Sequence, residues 1–91
     1  MPRPNRIRQY PQSTAGLDVN SVADGYVVYH PERDRVHYLN PTAALILELC
    51  NGQVAETELP KLLQSAFKLS APPTDEVKAC LENFRSEDLI R

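Results

Sequence analysis

Residues 26–44, with the sequence YVVYHPERDRVHYLNPTAA, decide the fold of this chain. Two runs rich in β-branched and aromatic residues, 26–29 and 35–39, flank a polar loop that contains Pro31. Asn40 and Pro41 then mark a helix start, because asparagine caps free N–H groups and proline at the first helical position loses no needed donor. The stretch therefore predicts two antiparallel strands that lead directly into a helix.

The segments on either side extend this pattern. Upstream, residues 17–22 predict a weaker first strand, and Asp24 and Gly25 predict the turn that follows it. Downstream, apolar spacing predicts helices at 41–50, at about 57–67 and from 74 onward, with Thr74 as the cap of the third. We therefore expect an α+β fold, a three-stranded antiparallel sheet followed by three helices, with one strand edge left open.

Composition limits the classes of function. The length of 91 residues is that of one small domain, and an apolar fraction of 42% is ordinary for a globular protein. The formal net charge of −2 gives no general attraction to nucleic acid or to acidic lipid. We find no apolar run of transmembrane length and no secretory signal, so we expect no membrane association and a cytoplasmic location.

The first 16 residues differ in composition from the rest of the chain. They contain several prolines and the arginines Arg3, Arg6 and Arg8, with no acidic residue to offset them. Such a segment has little to bury, so we predict a flexible basic arm at residues 1–16 and a folded domain at 17–91. An arm that becomes ordered on an acidic partner is the alternative.

No residues in this chain form a recognisable catalytic or metal-binding motif. His30 and His37 lack an accompanying nucleophile motif, and we expect His37 on the surface of its strand. Cys50 and Cys80 fall in apolar helical patterns without metal-ligand spacing, which predicts buried free thiols. We expect neither an enzyme nor a cofactor or metal site.

The third strand and the third helix together predict a peptide-binding groove. An open strand edge can pair with an extended peptide through its backbone, while neighbouring side chains set specificity. For Leu81 and Phe84, burial in the core is an equal alternative, and Leu39 is expected to pack in the core. The candidate peptide-binding residues are Arg35, Val36, His37, Tyr38, Leu39, Leu81, Phe84 and Arg85.

Four segments resemble the PqqD family, named after pyrroloquinoline quinone biosynthesis protein D. They are 24–26, 36–44, 49–52 and 81–90, of which LNPTAA at 39–44 is the most specific. The resemblance spans about residues 17–90. It implies a winged helix-turn-helix-like domain that recognises ribosomally made, post-translationally modified peptides. The leader of such a precursor would add as a strand beside the third strand, in a groove walled by the third helix. The domain would then present the peptide to a modifying enzyme, which in the name-giving family is a radical S-adenosylmethionine enzyme.

Two alternatives remain beside this peptide chaperone. A winged helix-turn-helix scaffold also serves DNA-binding regulators, although the third helix carries mainly acidic residues, which have the wrong sign for phosphate. A homodimer that pairs through the open edge is the other alternative. We favour the peptide chaperone.

Overall fold

The computed structural model describes residues 10–91 and confirms the α+β fold. A three-stranded antiparallel sheet is followed by three α-helices, and a short 3-10 turn at Glu56–Glu58 precedes the second helix. The elements are β1 (Asp18–Val22), β2 (Gly25–His30), β3 (Arg35–Leu39), α1 (Pro41–Leu49), α2 (Leu59–Phe67) and α3 (Thr74–Ser86).

The sheet has the order β1-β2-β3, with β2 in the centre. In the register, Val28 lies opposite Val19 on one side and opposite His37 on the other. Because side chains alternate along a strand, these three share the face that meets the helices. Within residues 10–91, both β1 and β3 have one edge without a partner strand, so the prediction of a single open edge was wrong.

The start of α1 is as predicted from the sequence. The Asn40 side chain accepts a hydrogen bond from the Ala43 backbone N–H at 2.8 Å, and Pro41 occupies the first turn. The helix ends before Cys50, and Gly52 follows with a φ of +81°, a conformation that glycine adopts without steric cost. These local signals fix the direction in which α1 leaves β3.

The starts of α2 and α3 differ from the prediction. Residues 56–58 form a 3-10 turn, so the α-helix begins at Leu59, two residues later than expected. Thr74 is the first helical residue of α3 and does not cap it; Pro73 takes the cap position, and no side chain bonds to the free N–H groups. The acidic residues Asp75 and Glu76 in the first turn complement the helix dipole instead.

The core lies between the inner face of the sheet and the three helices. Its largest members with almost no exposed surface include Phe84 and Leu81 of α3, Ile46 of α1, and Leu59 and Leu63 of α2. Leu89 and Ile90, which follow α3, also pack into it.

Residues 11–14, which we call the N-terminal strap, lie between the segment after α1 and the end of the chain. Ser13 donates its backbone N–H to the Cys50 carbonyl at 2.7 Å, and Thr14 donates to the Leu89 carbonyl at 2.9 Å. Gln12 and Arg91 exchange two further backbone hydrogen bonds. The strap is therefore part of the folded unit, although we assigned it to a flexible arm. Residues 1–9 of that arm lie outside the described residues, so the flexibility predicted for them stays a prediction.

None of the three α-helices in the described part of the chain has the length and apolar character needed to cross a bilayer.

Candidate functional site

The open edge of β3 offers backbone groups to a ligand. In an antiparallel strand, every second residue directs its N–H and C=O away from its partner. The five residues of β3 therefore present two or three such residues along the edge. Val36 and Tyr38, on the outer face, have 65% and 59% of their surface exposed. No backbone hydrogen bond from elsewhere in residues 10–91 covers this edge.

One face of α3 lies beside the inner face of β3. At 100° per residue, Glu76, Cys80 and Glu87 fall within about 40° of one another around the helix axis. Glu87, which follows α3, contacts Arg35 of β3. By contrast, Glu76 and Cys80 of α3 share a small pocket with α1 and its cap residue Asn40, directly after β3. We call the space between β3 and α3 the β3–α3 groove.

An ion pair closes the first end of the groove. Arg35 Nη2 lies 3.2 Å from Glu87 Oε1, and His37 Nε2 lies 3.9 Å from the same oxygen. Only 13% of the His37 side chain is exposed, and its Nε2 has no hydrogen-bond partner in the described structure. His37 therefore faces inward, and the prediction that it lies on the strand surface was wrong. Its register opposite the buried Val28 explains this orientation.

A small pocket, which we call the notch, lies at the second end. Its volume is about 130 Å³, and it is open to solvent on one side, so it has room for a small side chain to lie between α1 and α3. The lining residues are Asn40, Thr42, Ala43, Ile46, Glu76 and Cys80.

The two cysteines are free thiols in different surroundings. Cys50 is buried, as predicted, and burial raises its pKa to about 12. Cys80 is only partly buried and lines the notch. Burial, followed by the negative charge of Glu76, raises the pKa of Cys80 to about 11. Cys80 is therefore protonated near neutral pH and is a poor nucleophile.

Cys80 is expected to react with iodoacetamide at least tenfold more slowly at pH 8 than cysteine in an unstructured peptide, because little of it is thiolate. Its rate should keep rising with pH toward 11. Replacing Glu76 by glutamine removes a nearby anion, so it should lower the pKa of Cys80 and speed the reaction. Mass spectrometry of labelled Cys80 measures this, with Glu82→Gln as the control. An unchanged rate in Glu76→Gln would contradict the predicted influence of Glu76.

The three candidate residues on α3 do not line the groove. Leu81 and Phe84 have 0% and 1% of their surface exposed, so they support the core beneath the helix and offer no surface to a ligand. Arg85 lies about 180° around α3 from Glu76 and donates from Nη2 to Glu56 Oε1 at 2.8 Å. Of the five candidates on β3, Leu39 is buried in the core as expected, and the other four border the groove or the exposed face of the strand.

A second set of polar contacts, missed from the sequence, holds the end of α3 against the sheet. His30 is 1% exposed, and its Nε2 lies 3.2 Å from Asp88 Oδ2. Arg33 Nε lies 3.8 Å from the same oxygen. Thr14 donates its hydroxyl to the Asp88 carbonyl at 2.6 Å, so the strap joins this cluster. The cluster ties the segment after α3 to β2, to the loop between β2 and β3, and to the strap.

A larger open cleft lies at the β1 edge of the sheet, between the sheet and helices α1 and α2. Its volume is about 820 Å³, and apolar residues such as Leu17, Val19, Leu45 and Phe67 line much of it. Among residues 10–91, Glu48 is the one charged residue in its lining. We call it the β1 cleft, and together with the open edge of β1 it is a rival location for a bound peptide.

Comparison with known protein families gives one match. The family model described as coenzyme PQQ synthesis protein D (PqqD) matches residues 25–90. Neither the comparison with curated proteins nor the comparison with solved structures found a match. The matched range contains β2, β3 and all three α-helices, and therefore both walls of the β3–α3 groove. It begins after β1 and the N-terminal strap.

Proposed function

We propose, from the premise that this chain belongs to the PqqD family, that it is a non-catalytic peptide chaperone. It binds the leader segment of a ribosomally made precursor peptide, as the resemblance implies, and presents it to a modifying enzyme of the radical S-adenosylmethionine class. Both would act in the cytoplasm. The leader adds as a fourth strand at β3. The observation that carries this proposal is the unpaired edge of β3.

The expected free energies of binding indicate that a peptide needs both the β3 edge and the notch to bind well. Two or three outward-facing residues of β3 provide about four to six backbone hydrogen bonds, each worth roughly 1 kcal/mol net. Association costs about 4 kcal/mol or more in lost freedom, so backbone pairing alone gives weak binding. An aliphatic side chain partly buried in the open notch adds a fraction of the about 1.5–3 kcal/mol that full burial gives. A leader with such a side chain would therefore reach useful affinity.

The charge of α3 does not favour DNA binding. Asp75, Glu76 and Glu82 lie on its exposed surface, against the two cations Lys78 and Arg85, and Arg85 is paired with Glu56. Phosphate contacts require the opposite sign. A gel shift with random duplex DNA at moderate salt is expected to show no complex.

The proposed function is tested with a peptide chosen by the protein itself. A random-peptide display library is panned on the full-length chain, and the selected peptide is added during amide hydrogen exchange. Amides of β3 are expected to gain protection, while those of β1 do not. Because one of two neighbouring residues in β3 directs its N–H outward, Val36→Pro and His37→Pro are both made, and a variant that remains folded is kept.

A proline in β1, Asn20→Pro, is the matched control, since β1 is the other open edge. The β3 variant is expected to lose at least tenfold in affinity, and the β1 variant to bind as the wild type. Protection at β1, or binding that survives both prolines in β3 but not Asn20→Pro, would move the site to the β1 cleft and refute the proposal.

A further inference from the structure

We infer that Glu76 makes the groove select peptides that carry a lysine or arginine beside the aliphatic side chain that enters the notch. This inference rests on the proposed function, because it names the substrate class of the same site. It follows from the charges at the two ends of the β3–α3 groove.

At the first end, the carboxylate of Glu87, the residue that follows α3, is already paired. Glu87 lies between Arg35, at 3.2 Å, and His37, at 3.9 Å. The next carboxylate, Asp88, contacts His30 and Arg33. A peptide side chain arriving at this end therefore meets charges that are already engaged with one another.

At the second end, Glu76 lines the notch and has no ion-pair partner among residues 10–91. The cations of α3 point elsewhere: Lys78 and Arg85 lie about 200° and 180° around the helix from Glu76, and Arg85 is paired with Glu56. Glu76 lies in the first turn of α3. The negative charge beside the notch is thus free to attract a cation.

The negative charge of Glu76 also acts on groups inside the notch, because it contributes to the raised pKa of the Cys80 thiol that lines it. A cation on a residue next to the buried aliphatic side chain would lie close to this carboxylate. A partly exposed ion pair of this kind changes affinity by about fivefold, and reversing one charge adds repulsion, for a total of roughly tenfold or more.

The test compares display selections on the wild type and on Glu76→Lys. Wild-type selection is expected to enrich lysine or arginine beside an aliphatic residue, and Glu76→Lys to enrich aspartate or glutamate at the same place. Glu82→Lys, with the same change in net charge but about 120° away around α3, is the matched control and should select as the wild type. Glu76→Gln, which adds no cation to the helix start, should lose the charge preference while remaining folded.

A folded β3 proline variant is used to remove peptides that bind without the β3 edge, so that only β3-dependent peptides are compared. If no peptide that depends on β3 is enriched on any protein, the proposed function itself fails. If β3-dependent peptides are enriched, yet their charges are the same for wild type, Glu76→Gln and Glu76→Lys, only the inference about Glu76 fails. An equal change in Glu82→Lys would also overturn it, since the effect would then come from net charge.

Discussion

Replacing Phe84 by alanine is expected to lower the free energy of unfolding by about 3–5 kcal/mol. The ring has 1% of its surface exposed and lies in the core cluster with Leu81 and Leu89. A domain of this size has a total stability of roughly 5–14 kcal/mol, so this single change removes a large part of it. Urea denaturation followed by circular dichroism measures the loss.

The neighbouring residue provides the control. Arg85→Ala removes an exposed side chain and one surface ion pair with Glu56, so it should cost about 0–1 kcal/mol. A loss below about 1 kcal/mol for Phe84→Ala would contradict the burial of this ring. It would restore Phe84 as a candidate for direct peptide contact.

Removing the N-terminal strap is expected to have an effect of similar size. A chain that begins at Ala15 should be about 3 kcal/mol less stable than one that begins at Tyr10. It loses five backbone hydrogen bonds of the strap, the Thr14 hydroxyl bond to Asp88, and the buried Pro11. Each bond contributes about 1 kcal/mol, and the entropy of ordering the strap offsets part of the sum.

Comparing these two truncated chains isolates residues 10–14, because both lack residues 1–9. Thermal and urea unfolding of both give the difference. Equal stability would show that the strap contributes nothing and that the domain begins at residue 17, as the sequence suggested. The strap lies outside the range that matches the family model, residues 25–90, so this comparison tests whether a segment outside that range stabilises the domain.

The parts of the fold with local sequence signals were predictable. β3 has the predicted bounds, and Asn40 caps α1 as expected, since alternation and capping depend on neighbouring residues. The family was also confirmed over residues 25–90. That β3 and α3 form the two walls of a peptide groove was implied by the family resemblance and stays a prediction.

The remaining features depend on contacts between residues that are distant in sequence. An apolar stripe shows which face of α3 is hydrophobic, but not that Leu81 and Phe84 are covered completely. Arg85 finds its partner 29 residues away, in the 3-10 turn. The strap pairs through its backbone, which leaves no periodic pattern, and its proline suggested a tail. His30 and Asp88, 58 residues apart, gave no signal that they meet.

The two hydrogen bonds between Gln12 and Arg91 place the start and the end of the folded unit side by side. A short glycine-serine link could therefore join them and make a circularly permuted chain, with new termini in the exposed loop at residues 31–34. For the same reason, another domain fused ahead of the strap or after Arg91 would be attached at nearly the same point. Fusions of either order would thus hold this domain in a similar way.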